Sequence, residues 1–214
     1  MIEIRGKMII ETMIKSLVDC GIKEVTIVVG YKARLLQETI LDKCSHTGLK
    51  VNFVKNEEYH QTNTMYSLHL ARQHLMRGFL FLHADLIFPH EMLHDFLASS
   101  DNNAVLVDLN IPSDWTDAMK VISRNNLLSY MSKSITKNEA DGTAIGMYRF
   151  DEVGAKHLFD AIDILVQDEV LSCWVSEPIN MIAKMIPVQT YVTNQFQWCD
   201  IDNVTDLQRS YSLR

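Results

Sequence analysis

The stretch EVTIVVG, residues 24–30, limits the possible folds more than any other part of this chain. It is short, continuously apolar and rich in β-branched residues, the pattern of a strand covered on both faces as in a parallel sheet. Helices must supply that cover, and the flanking sequence provides them. Ile10, Met13, Ile14 and Leu17 recur at helical spacing, with Gly21 closing the helix. A second helix is expected from Lys32 to Leu41, followed by a strand at LKVNFV and a polar loop, KNEEYHQTN. Met65, Leu68 and Leu75 mark the next helix, with Thr62 or Asn63 as its N-cap. FLFLH predicts another buried strand, a helix follows Pro89, and NAVLVDL predicts one more strand.

This alternation with short connections implies an α/β fold with a Rossmann-like, doubly wound and mostly parallel sheet. After Ser113 the texture changes. MKVIS, LLSYM and AIGMYRF are short strands suited to a small antiparallel addition. Helical patterns follow over residues 151–166 and 173–184, and VQTYV, FQWCDI and a terminal helix close the chain. The expected organisation is one domain over residues 1–214, divided into a first half at 1–112 and an elaborated second half at 113–214.

Composition excludes several classes of partner. A net charge of −7 argues against nucleic acid and anionic membrane surfaces, both of which need basic protein surface. No apolar run approaches the roughly 20 residues that span a bilayer. The opening MIEIRGKMII lacks the cationic flank and cleavage site of a secretion signal. Cys20, Cys44, Cys173 and Cys199 show no CxxC spacing, so reduced thiols in a cytoplasmic protein are expected.

Two apolar strands each end in a carboxylate: FLFLHAD at Asp85 and FQWCDID at Asp202. Ligands of open α/β sheets bind beyond the carboxyl ends of the strands, where an acid is poorly placed for packing and well placed for a cation. Mg²⁺ takes one or two carboxylates together with substrate phosphates, so two acids suffice. The plainer alternative is that each aspartate caps backbone, with Asp202-Asn203 starting the terminal helix. His90-Glu91-Met92-Leu93-His94 matches the zinc motif HExxH, but no third ligand follows and the β/α alternation is not that architecture.

Several segments, in order, resemble the sugar-phosphate nucleotidyltransferase fold. GKMIIETMIKSLVDCGIKEVTIVVGYKARLL is similar to the stretch after that family's signature loop. NEEYHQTNTMYSL resembles its nucleotide-base segment, FLFLHADLIF its first metal-aspartate strand and WCDIDNVTDL its closing one. DAMKV, SYMSKSI and GTAIGMYRF resemble the substrate-side strands. The nearest subgroup is the choline-phosphate cytidylyltransferase type, together with phosphonate cytidylyltransferases.

The resemblance implies a nucleotide-binding first half and a substrate-side second half. Asp85 and Asp202 would hold Mg²⁺, and Thr62, Asn63 and Ser67 would lie near cytosine and ribose. Lys120 and Lys133 would neutralise acceptor phosphate; Trp174 and Tyr148, with Trp115 nearby, would face an amino-alcohol acceptor such as phosphocholine. The plain alternatives are solvated lysines and core aromatics. The partners implied are a nucleoside triphosphate, CTP in preference, and a small phosphorylated acceptor, with a homo-oligomer allowed for. A sugar-1-phosphate nucleotidyltransferase and a non-catalytic nucleotide-binding module of the same fold are the rival readings.

By the same resemblance, residue 1 falls after the glycine-rich phosphate loop and the first strand. Met8 stands where a proline is usual after Gly-Lys. The missing strand would lie between EVTIVVG and FLFLHAD, leaving backbone groups unpaired on both neighbours and favouring association. Three readings stay open: a misplaced start or trimmed chain, a natural truncation with little activity, or another segment or subunit that fills the gap.

Overall fold

A computed structural model describes residues 2–110 and 117–213. In chain order the first elements are β1 (Glu3–Ile4), β2 (Lys7–Met8), α1 (Ile9–Asp19), β3 (Glu24–Val29), α2 (Ala33–Cys44), β4 (Lys50–Lys55) and α3 (Thr64–Leu70). Next come β5 (Phe79–Leu82), β6 (Leu86–Ile87), α4 (His90–Ala98), β7 (Ala104–Asp108), β8 (Lys120–Arg124) and β9 (Leu127–Ser132). The last are β10 (Gly142–Phe150), α5 (Glu152–Gln167), α6 (Ser176–Ile182), β11 (Gln189–Thr193), β12 (Cys199–Asp200) and α7 (Val204–Ser210). They form two compact units, one from Met1–Glu57, His83–Ser99 and Gln195–Arg214, the other from Glu58–Leu82 and Ser100–Asn194.

In the first unit β3 and β4 form a parallel pair, in register from Glu24↔Lys50 to Val29↔Lys55; only Val29 is fully buried, so EVTIVVG is half-covered rather than enclosed on both faces as its sequence suggests. The apolar stripes of α1 and α2 cover it: Ile14, Ile40 and Cys44 are buried against Ile27, Val51 and Phe53. Gly21, at φ +82°, turns the chain out of α1 in the left-handed conformation that glycine adopts without steric cost. The same unit holds a two-residue antiparallel bridge, β6 with β12.

The second unit carries a six-stranded sheet in the order β5-β10-β7-β11-β9-β8, with a further β10–β8 pairing. β10 runs antiparallel to both β5 and β7, and β11 runs parallel to β7, so β5, β7 and β11 all point the same way. The Rossmann-like α/β expectation therefore holds, but the antiparallel addition is larger than expected. β10 threads between two like-directed strands, which leaves β7–β11 as the one parallel ladder of this sheet. One face is filled by α3, α5 and α6, through Met65, Leu158, Phe159, Ile162 and Ile179 packed on Val105, Val107, Val121 and Tyr148. Among the described residues β3 pairs only with β4, and β5 only with β10, so each has one edge without a strand.

Three expected boundaries move. β5 ends at Leu82, which leaves Asp85 in a turn rather than at a strand end. FQWCDI shrinks to Cys199–Asp200 because its partner β6 is itself only two residues long, closed off by Phe88-Pro89. Leu75 lies beyond α3, after a separate 3₁₀ turn at Arg72–His74, yet still reaches the same core.

Candidate functional site

The β6–β12 bridge positions the acids of the first unit. Cys199 lies opposite Ile87 and Asp200 opposite Leu86, and the Ile201 amide donates to the Asp85 carbonyl at 3.2 Å. This brings two distant segments together and sets Asp85 beside Asp200 and Asp202. Asp85 Oδ1 is buried and has no hydrogen-bond partner. Asp202 is exposed, and its amide donates to Asp206 Oδ2 at 3.2 Å. Asn203, not Asp202, caps α7, through a reciprocal capping box with Asp206. Capping therefore occupies Asn203 and leaves the Asp202 carboxylate outside the helix.

Asp200 completes an acidic group that the sequence reading did not single out. The residue is exposed as a whole, yet its carboxyl is partly desolvated. That loss of water first, and then the charges of Asp202, Asp85 and Asp206, push it above the usual carboxylate range. The visible signal was the alternation CDID, which puts two acids either side of Ile201. Among the described residues no set of three or more His, Cys, Asp or Glu is placed to hold a metal ion. The donor set nevertheless suits Mg²⁺, which needs only one or two carboxylates beside phosphate oxygens, and the unpaired Asp85 oxygen is a hard ligand already stripped of water.

In the second unit Thr62, Asn63 and Ser67 gather at the start of α3. Asn63 Oδ1 caps the helix by accepting from the Thr64 amide at 2.8 Å, and the Ser67 amide donates to the Asn63 carbonyl at 3.2 Å. The Thr62 hydroxyl donates to the Glu58 carbonyl at 2.8 Å. The loop that carries Trp174 is pinned to this turn at two points. The Asn63 amide donates to the Leu171 carbonyl at 3.2 Å, and the Val175 amide donates to Thr64 Oγ1 at 3.0 Å. Lys133 joins the same group, with its ammonium 4.4 Å from the centre of the Trp174 ring.

Lys120 and Tyr148 lie deeper. Lys120 is 2% exposed and Tyr148 3%, so neither is a surface residue. The Tyr148 ring stacks on Phe81 at 5.6 Å between centroids, and burial raises its phenol pKa. Its place is that of a core aromatic supporting the sheet. Lys120 starts a row of buried polar side chains in register across four strands: Lys120 on β8, Thr143 on β10, Asp108 on β7 and Thr193 on β11. Paired residues share a sheet face, so the four point the same way, opposite to Val107 and Val121 of the helix-covered face. Trp115 lies outside the described residues.

On α4, the His90 and His94 rings lie 6.3 Å apart between centroids, tilted at 45°, and His90 Nδ1 is 3.7 Å from Cys20 Sγ. Neither histidine approaches the acids through any contact seen among the described residues. No helix among those residues is long and apolar enough to cross a membrane.

A model of the MobA-like NTP transferase domain matches residues 1–143, two thirds of the chain. The chain belongs to this family. As a MobA-like NTP transferase it is 28% identical, over 102 residues, to the CMP-5'-(3-aminopropyl)phosphonate synthase of Streptomyces rubellomurinus. That match covers 48% of this chain and 16% of the relative, so the chain spans well under two thirds of that protein's length. It is 20% identical to the CTP:phosphoglutamine cytidylyltransferase of Campylobacter jejuni, over 97% of this chain and 88% of the relative. In three dimensions it resembles the CTP:phosphocholine cytidylyltransferase of Streptococcus pneumoniae, with a TM-score of 0.79 and 21% identity over 98% of this chain and 86% of that one. The fold is thus that of a nucleotidyltransferase, with the paired acids and the α3 turn carried on its two units.

Proposed function

We propose that this MobA-like protein transfers CMP from CTP to a small phosphorylated or phosphonate amino-alcohol. An acceptor phosphoryl oxygen attacks the α-phosphorus of CTP, a new P–O bond forms, the bond to the bridging oxygen of the β-phosphate breaks, and pyrophosphate leaves. Asp85 and Asp202 are the residues that would hold Mg²⁺, with Asp200 beside them. Magnesium held by these residues would supply neutralisation of phosphate charge. Thr62, Asn63 and Ser67 would meet the base and ribose, and Lys120 and Lys133 the acceptor phosphate. Such chemistry needs positioning and charge compensation rather than a protein nucleophile.

The observation that carries the reading is the β6–β12 bridge. Nothing in the packing of two-residue strands requires carboxylates flanking both, yet the bridge sets acids from distant segments side by side around a buried, unpaired oxygen. Burying and crowding like charges costs stability unless a cation joins them. The Streptomyces and Campylobacter relatives support CTP as the donor and a nitrogen-bearing phosphorus compound as the acceptor.

The test is Mg²⁺-dependent pyrophosphate release with CTP, UTP, dTTP, GTP or ATP, each against phosphocholine, 2-aminoethylphosphonate and a sugar 1-phosphate. Release with CTP and one amino acceptor is expected. Release from UTP or dTTP with the sugar phosphate, or silence from folded protein with every pair, would overturn the proposal.

A further inference from the structure

The first unit holds a cavity of about 410 Å³, walled by the β1–β2 hairpin, α1, β6, α7 and the residues after α7. None of Asp85, Asp200 and Asp202 lines it, so it is separate from the acid group. Its volume falls within the roughly 300–1,000 Å³ of small-molecule sites. The deep part of the wall is apolar, with Met13, Leu86 and Phe88 all buried. Ser16 and Ser210 are buried there too, but their hydroxyl protons are already engaged. Each hydroxyl donates to a carbonyl of its own helix, that of Thr12 at 3.3 Å and that of Leu207 at 2.6 Å. The floor therefore presents apolar surface and no hydroxyl donor.

The mouth is cationic. Arg5 and Lys7 are the only charged residues of the wall, and both are exposed. In a chain with 27 acids and 20 bases, a wall with two cations and no carboxylate is a local reversal of charge. Arg5 is held there against a backbone preference. It opens a two-residue hairpin loop at φ +51°, with Gly6 following at +76°, where glycine, asparagine or aspartate is the usual first residue. Its Nη2 donates to the Tyr211 and Leu213 carbonyls at 2.8 and 2.7 Å, which leaves the Nε and Nη1 donors for a further acceptor. Lys7, two residues on, forms no ion pair with any described residue.

We infer that this cavity is a binding site for a small amphiphilic anion, a single alkyl or aryl chain that ends in a phosphate or carboxylate. The apolar body lies against Met13, Leu86 and Phe88, where empty volume forfeits contacts and keeps apolar surface in water. The anionic head meets Lys7 and the remaining Arg5 donors at the mouth, in charge-assisted hydrogen bonds. A cation of the same shape finds no carboxylate there, and a bare anion leaves the apolar wall wet. The ligand is a dissolved molecule rather than a membrane lipid, because a chain of net charge −7 is not drawn to an anionic surface. The site takes nothing from the transferase reading and stands whether or not the chain turns over CTP.

The experiment is calorimetric titration of octyl phosphate, kept below the concentration at which it forms micelles, into the wild type, Lys7→Glu, Lys7→Arg and Thr12→Trp. One molecule should bind per wild-type chain. Lys7→Glu turns an exposed attraction into a repulsion and should weaken binding about tenfold, whereas Lys7→Arg should keep it. Thr12 is an exposed wall residue on α1, and tryptophan there should block the mouth and abolish binding. Octylammonium and inorganic phosphate should each bind far more weakly than octyl phosphate, and excess CTP should not displace it. No binding to the wild type, unchanged binding in Lys7→Glu or in folded Thr12→Trp, or octylammonium binding as tightly as octyl phosphate would overturn the inference. So would displacement by CTP, or binding to vesicles of anionic lipid alone. Thermal melts report folding, and if Thr12→Trp does not fold, the two Lys7 variants decide. Pyrophosphate release, scored separately, tests the transferase reading and has no bearing on this one.

Discussion

Replacing Thr143 or Thr193 by valine should make this protein more stable. Both residues are buried, at 2% and 7% exposure, and neither hydroxyl has a hydrogen-bond partner. They flank Asp108 in the row that runs from β8 to β11. A buried hydroxyl without a partner costs about 1–3 kcal/mol in lost hydration. Valine keeps the β-branched shape, removes that cost and suits a strand at least as well. A gain of about 1 kcal/mol per site is expected, which for a chain of this length raises Tm by about 2–4 °C. β7 separates the two residues, so they stand roughly 9–10 Å apart, two strand spacings. Their effects should then add to within about 0.5 kcal/mol. Urea unfolding of the two single variants and the double variant, without nucleotide, reads the result. A loss of about 1 kcal/mol or more in either single variant would mean that the hydroxyl is bonded after all, and the argument from register would fail.

Asp85→Asn should remove both pyrophosphate release and the rise in Tm on adding Mg²⁺, whereas a capping role would leave the metal response intact. Asp200→Asn should stabilise the metal-free protein at pH 7. Its folded carboxyl has a raised pKa, so the folded state binds that proton more tightly, and the penalty is absent at low pH and appears as pH rises through the folded value. The difference from wild type should therefore vanish as pH falls towards the ordinary 3.8, and a constant difference across the range would refute it. Asn180→Ala should cost about 2–5 kcal/mol and lower Tm by roughly 5–15 °C. Its buried amide accepts from the Met131 amide at 2.9 Å and donates to the Met131 carbonyl at 2.8 Å, so both would be left unpaired; a change below about 1 kcal/mol in urea unfolding would contradict this.

What could be read in the sequence was whatever is local and periodic. EVTIVVG and LKVNFV declare themselves as strands by their β-branched, largely apolar runs, but the structure leaves them half-buried, with only Val29 fully enclosed and Glu24, Lys50 and Lys55 exposed. The helix stripes that cover them are as plain. Strand direction is not written in such patterns, so β10 could be seen as a strand but not as one threaded backwards between β5 and β7. The acids show the same divide. Asp85 and Asp202 were visible as carboxylates where strands end, but the bridge that joins them is two residues long, too short for any period, and its pairing spans more than a hundred residues of sequence. Asp200 was hidden for that reason, since its importance comes from opposing Leu86 rather than from its neighbours. Lys120 carries the lesson furthest. A lysine beside a short β-branched run reads as a solvated edge, and only the register with Thr143, and of Thr143 with Asp108, shows a cation buried in a polar row. Burial of that kind is costly, and the sheet bears it at the carboxyl ends of β7 and β11, the end where α/β folds bind their ligands. Within the second unit the row is therefore a ground of its own for placing function at that end of the sheet.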